Sequence, residues 1–209
     1  MEQKLAMLFD LDGVIIDTES QYDTFWQKAG KEYNLGENIE QRIKGITLPN
    51  IVSQFLSHLS QEQIDKIIQE SSDFESRMEM PVIPGVLDFL EELKQNEIKT
   101  GLVTSSDDQK IQITFKNVPI KSYFDTIVSA DRITQGKPHP MCYLLAAKDL
   151  GISPENCIVF EDSFHGIQSG NAAGMKVVGL STTNSEESIK DKVWKVIPDF
   201  KNFTLKSLQ

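Results

Sequence analysis

Residues 9–18 read Phe-Asp-Leu-Asp-Gly-Val-Ile-Ile-Asp-Thr and follow directly on the apolar run Leu5-Ala6-Met7-Leu8. Two carboxylates, Asp10 and Asp12, therefore stand at the exit of a strand-like run, with Gly13 immediately after. Side chains two apart in an extended chain point the same way. Like charges so close are costly unless a cation lies between them or one of them holds a proton. At the end of a buried strand such a pair suits a metal ion plus a nucleophile or an acid/base, which predicts phosphoryl chemistry.

Three more groups follow, two of them directly after apolar runs. Gly101-Leu102-Val103 ends in Thr104-Ser105-Ser106, whose hydroxyls stand just before a helix start. Such a corner can bind phosphate with side-chain and backbone donors, and it can equally be a plain N-cap cluster. Gly136-Lys137-Pro138-His139-Pro140 holds a lysine in a rigid, non-helical turn. A fixed ammonium there can neutralise a phosphoryl group or steady a carboxylate, although a lone loop lysine is usually just solvated. Cys157–Phe160 ends in Glu161-Asp162-Ser163, with Gly166 and the small-residue stretch 169–174 behind. These acids offer the oxygen ligands that Mg²⁺ favours.

The elements that must position these groups alternate. Strand-like runs occur at 5–9, 101–103, 126–128, 157–160 and 177–180. Their continuous apolar character predicts strands buried on both faces, as in a parallel sheet. Helix-period stripes lie between them: Val86, Leu90 and Leu93 after Pro84-Gly85, and Ile111, Phe115 and Val118 after Asp107-Asp108. This alternation predicts an α/β, doubly wound fold, with ligands bound at the carboxyl ends of the strands. One stretch departs from it. Between Asp17 and Pro81 there is no strand-like run. Leu48, Ile51, Val52, Phe55, Leu56 and Leu59 form an apolar helical stripe with Pro49 in its first turn. Ser60 with Gln63 resembles a capping box for a helix from Gln61 to about Met78. Residues 17–82 are thus expected to form a helical cap on a core of residues 1–16 and 83–209, hinged near 13–18 and 80–85.

The chain has 209 residues and a formal charge of -10, which argues against a nucleic-acid partner. Cys142 and Cys157 sit in apolar surroundings without zinc spacing, as free buried thiols do. No signal-peptide pattern or membrane-length apolar run is present, so a cytoplasmic protein without a membrane partner is expected, acting as a monomer.

Taken together, Asp10-Leu-Asp12-Gly13, Thr104, Lys137-Pro138 and Glu161-Asp162 resemble the motifs of the haloacid dehalogenase-like hydrolases over nearly the whole chain. The helical insert after the first motif is similar to the cap of the subgroup that contains β-phosphoglucomutase and phosphoglycolate phosphatase. The resemblance implies that Asp10 attacks phosphorus and that Asp12 protonates the leaving alcohol, then deprotonates water. It implies Mg²⁺ held by the Asp10 carboxylate, the Asp12 carbonyl and Asp162, with Glu161 nearby or as a further ligand. Thr104, Ser105 and Lys137 would bind the phosphoryl oxygens of a small phosphorylated metabolite. Retention of Asp12 excludes the dehalogenase activity that named the superfamily and points to a phosphate ester.

Two positions depart from the mutases of that subgroup. The arginine expected to grip a second phosphate is replaced by Leu48, although Arg42 and Lys44 are close in sequence, and Tyr22 stands where many members carry histidine. These departures favour a phosphatase over an isomerase of the β-phosphoglucomutase kind, while retention of every catalytic residue type disfavours a non-catalytic protein on the same fold. Phe25 and Trp26 are expected in the cap core, and Trp194 in packing. His58 is expected on a helix surface, and His139 and His165 in loops.

Overall fold

The computed structural model describes residues 5–208, so residues 1–4 of the expected core and Gln209 lie outside it. Strands β1 (Ala6–Phe9), β2 (Lys99–Val103), β3 (Thr126–Val128), β4 (Cys157–Glu161), β5 (Lys176–Leu180) and β6 (Lys195–Ile197) form one parallel sheet. Its order is β3-β2-β1-β4-β5-β6. The four central strands bury both faces, apart from the exposed first residues of β2 and β5. In β1, Met7 and Phe9 join one apolar cluster while Ala6 and Leu8 join the other. That two-sided burial is why these strands read as unbroken apolar runs. Phe9 pairs with Phe160 in register, and their rings stack at 4.6 Å. Successive strands run outward from β1 in opposite directions, so the crevice at its carboxyl end is a topological switch point.

Helices α1 (Glu19–Glu32), α2 (Ile39–Arg42), α3 (Leu48–Phe55) and α4 (Gln61–Glu75) follow β1. Trp26, Ile39, Ile51, Leu56 and Ile67 bury against one another in a third cluster, with Phe25 packed on it. Pro49 lies in the first turn of α3, and Ser60 and Gln63 close the capping box at the start of α4. α4 stops at Glu75, short of Met78, where Ser76 Oγ and Arg77 Nε both turn back to the Asp73 carbonyl. The two chain crossings beside this segment bond to each other. Asp17 N–H donates to the Pro81 carbonyl at 2.7 Å, and Ile83 N–H to the Ile15 carbonyl at 2.9 Å. Ile16 and Val82 form an antiparallel bridge between them.

Helices α5 (Val86–Gln95), α6 (Asp108–Asn117), α7 (Met141–Leu150), α8 (Phe164–Ala172) and α9 (Glu186–Ile189) complete the layers. The Asp107 carboxylate caps α6 by accepting from Lys110 N–H. Trp194 departs from its expected packing role: it is 40% exposed beside the edge strand β6, with Lys176 and Lys195 over its ring. His165 sits in the first turn of α8, not in a loop, and its Nδ1 lies 2.9 Å from the Lys44 carbonyl oxygen. Both cysteines are buried free thiols. Among the described residues no helix is long and apolar enough to cross a membrane.

Candidate active site

The carboxyl ends of β1, β2 and β4 bring Asp10, Thr104 and Asp162 to one crevice. Asp10 continues β1 by donating its N–H to the Phe160 carbonyl at 3.1 Å. The chain then turns sharply, and Gly13 has φ +75°. A Cβ on Gly13 would collide with the Asp162 carboxylate, so backbone conformation and close approach both require glycine.

Lys137 reaches into the crevice, buried, with Nζ 2.9 Å from Asp10 Oδ1 and 2.5 Å from Glu161 Oε1. Glu161 is enclosed by donors. Lys137 and the Tyr143 hydroxyl serve Oε1, while Ser163 Oγ and the backbone N–H groups of Asp162 and Ser163 serve Oε2. Gly166 lies so close to this carboxylate that a Cβ there would overlap it. Asp162 accepts a hydrogen bond from the Thr183 hydroxyl, and its carbonyl accepts from Asn184 Nδ2.

Asp10, Glu161 and Asp162 each offer a carboxylate oxygen within 4.8 Å of the others, all three buried. Burial, assisted by Glu161 and opposed by Lys137, pushes the Asp10 carboxyl up to about 7. Burial, then Glu19, Glu161 and Asp10, drives Asp162 well above the carboxylate range. Lys137 is pulled down by burial, but Asp10 and Glu161 outweigh this and hold it above its ordinary value. One ammonium balances only one of these three buried acids, so Asp10 and Asp162 are pushed toward their protonated forms and offer hard oxygen donors to a cation that replaces those protons. That donor set fits a small divalent cation such as Mg²⁺. Since Glu161 is occupied by protein donors, Asp10 and Asp162 hold the oxygens available to a cation.

Asp12 faces the cavity instead. Its carboxylate accepts from the Thr18 hydroxyl, from Ser106 Oγ at 3.3 Å and from Lys110 Nζ at 2.6 and 2.5 Å. Lys110 is buried on α6 and lies 4.5 Å from the centre of the Tyr22 ring, whose hydroxyl donates to Glu75 at 2.7 Å. Thr104 is buried, and its Oγ1 accepts from Ser106 N–H, while Ser105 Oγ donates to the Gly45 carbonyl at 2.8 Å. The crevice thus holds every expected site residue: Asp10, Asp12, Thr104, Ser105, Lys137, Glu161 and Asp162. Sequence reasoning missed Lys110, Thr18, Tyr143 and Thr183. Only Thr18, inside the first motif, carried a local signal. The crevice is part of a cavity of about 770 Å³, walled by α1, α3 and α4 on its far side.

Comparison with known proteins agrees with the fold. The family model for haloacid dehalogenase-like hydrolases matches residues 7–180. A phosphorylated carbohydrates phosphatase of Thermotoga maritima is 31% identical over 177 residues, covering 82% of each chain. Pyrophosphatase PpaX of Oceanobacillus iheyensis is 30% identical, covering 84% of this chain and 83% of its own. The crystal structure of β-phosphoglucomutase from Clostridium difficile superposes with a TM-score of 0.82 at 27% identity, covering 99% of this chain and 96% of that one.

Proposed function

The chain belongs to the haloacid dehalogenase-like hydrolase family, and we propose that it is a Mg²⁺-dependent phosphatase acting through an aspartyl-phosphate on Asp10. Its substrate is the phosphate monoester of a small metabolite, sugar phosphates included. The observation that carries this reading is Asp10 beside Lys137 and Asp162 at the switch point, with a separately anchored Asp12 two residues on. The Asp10 and Asp162 carboxylates and the Asp12 carbonyl would hold Mg²⁺, with Glu161 steadying Lys137 and the Asp162 backbone. Mg²⁺ held there would supply positive charge to phosphoryl oxygens that otherwise repel Asp10. Lys137, Thr104 and Ser105 take up further charge on the transferring group.

In the first half-reaction an Asp10 oxygen bonds to phosphorus as the bond to the leaving oxygen breaks, and Asp12 gives that oxygen a proton. In the second, Asp12 takes a proton from water, which attacks phosphorus and frees Asp10. Residues 17–82 serve as a cap over the core of 1–16 and 83–209. It would act as a monomer in the cytoplasm, a reducing compartment that suits the free buried thiols. Leu48 lines the cavity and cannot grip a second phosphate, which favours release of the alcohol over its rebinding as in a mutase.

The test is hydrolysis of p-nitrophenyl phosphate. Activity should vanish in EDTA, return with Mg²⁺ and fall to background in Asp10→Asn. Turnover that survives either change would overturn the aspartyl-phosphate reading. Rapid conversion of β-glucose 1-phosphate to glucose 6-phosphate with a trace of glucose 1,6-bisphosphate, releasing negligible free phosphate, would establish a mutase instead.

A further inference from the structure

The cavity wall beyond the crevice contains two lysines, and each is already held by carboxylate. Lys110 is clamped to Asp12. Lys44 Nζ lies 2.9 Å from Glu19 Oε2 and 2.8 Å from Asp23 Oδ1, two acids around one ammonium. Glu40, Glu75 and Asp131 line the same space, and among the described residues none is within ion-pair distance of a lysine or arginine. Arg42, close in sequence, instead lies over the Phe55 ring with its guanidinium 4.8 Å from the centroid. Leu48 adds only apolar surface.

We infer that this site accepts monophosphates whose alcohol part carries no second anionic group, and that Glu19 and Asp23 impose this by occupying Lys44. A second phosphate or a carboxylate on the leaving part would have to compete with both acids for Lys44, against three more carboxylates nearby. Like-charge juxtaposition of this kind is an effective means of rejecting a ligand. A hydroxylated or amine-bearing alcohol meets hydrogen-bond acceptors instead. This inference rests on the phosphatase reading and narrows it to neutral polyol and amino-alcohol phosphates.

The experiment measures kcat/KM with Mg²⁺ for matched pairs: glycerol 3-phosphate against 3-phosphoglycerate, phosphoethanolamine against phosphoglycolate, and glucose 1-phosphate against glucose 1,6-bisphosphate. Inorganic pyrophosphate and p-nitrophenyl phosphate are run alongside. The member without a second anion should be favoured by about tenfold or more in each pair, mainly through KM, as expected for repulsion at a partly buried wall. In the double variant Glu19→Gln/Asp23→Asn, the bisphosphate-to-monophosphate ratio should rise by about tenfold, because Lys44 is released. Equal or better use of the anionic members by the unmodified protein overturns the inference, whether or not the variant folds. If p-nitrophenyl phosphate is cleaved while the anionic members are preferred, only this inference fails. If nothing is cleaved, the phosphatase reading itself has failed.

Discussion

Lys110 grips both oxygens of the Asp12 carboxylate from a helix in which it is otherwise an unremarked lysine. It acts through Asp12, so it is a positioning residue. In Lys110→Met we expect kcat/KM to fall about 10²-fold for alkyl phosphates, near the lower range for loss of general acid–base help. For p-nitrophenyl phosphate kcat/KM should suffer much less, because it reports the first half-reaction, in which that leaving group needs no proton. A purely structural role would depress both substrates equally, so the ratio of the two rates checks the idea. Leu48→Arg should lower KM for bisphosphates by giving the cavity wall an unpaired guanidinium, measured against the same sugar monophosphate. The contrast between these residues explains what was legible. Asp10, Asp12, Thr104, Lys137, Glu161 and Asp162 stand out in sequence because most close an apolar run and sit in short, distinctive motifs. Lys110 does not, because its partner lies 98 residues away and only the fold brings them together. Tyr143 and Thr183 were hidden for the same reason.

At the scale of elements, the turn after β1 works only because Gly13 adopts positive φ beneath Asp162. Gly13→Ala should displace that carboxylate and weaken Mg²⁺ binding by about tenfold or more, with a stability cost of about 1–3 kcal/mol for the strained backbone. Calorimetric titration of Mg²⁺ and thermal melts would check the two effects separately, and unchanged affinity would count against the assigned ligand geometry. The strands were readable because burial on both faces removes polar residues from them. The end of α4 was not, since the turn at Ser76 depends on side chains reaching back to one carbonyl, which no periodicity announces. The role of Trp194 was misread because its local sequence does not reveal that β6, the strand it precedes, lies at a sheet edge.

For the whole molecule, the acid cluster links pH to stability. The folded-state Asp10 carboxyl is raised from 3.8 to about 7, so between those values the folded protein binds more protons than the unfolded chain. Metal-stripped protein should therefore lose stability as pH rises through that window, and Asp162, raised in the same direction, should add to the loss. Bound Mg²⁺ takes over the role of those protons, so the Tm gain on adding it should grow from pH 5 to pH 8. A Tm gain independent of pH would contradict the link. Motion also belongs to this scale. Small-angle scattering with and without a transition-state analogue should show the helical segment closing over the crevice. The two crossings that would carry this motion are bonded to each other, through Asp17 to Pro81 and Ile15 to Ile83. They leave and rejoin the sheet side by side, like the leads of a plug. We expect the segment between them to be exchangeable: a different helical module spliced at the same two points should change which alcohol is welcomed, read as a changed order of kcat/KM among phosphate esters, while Asp10, Lys137 and Asp162 stay in place.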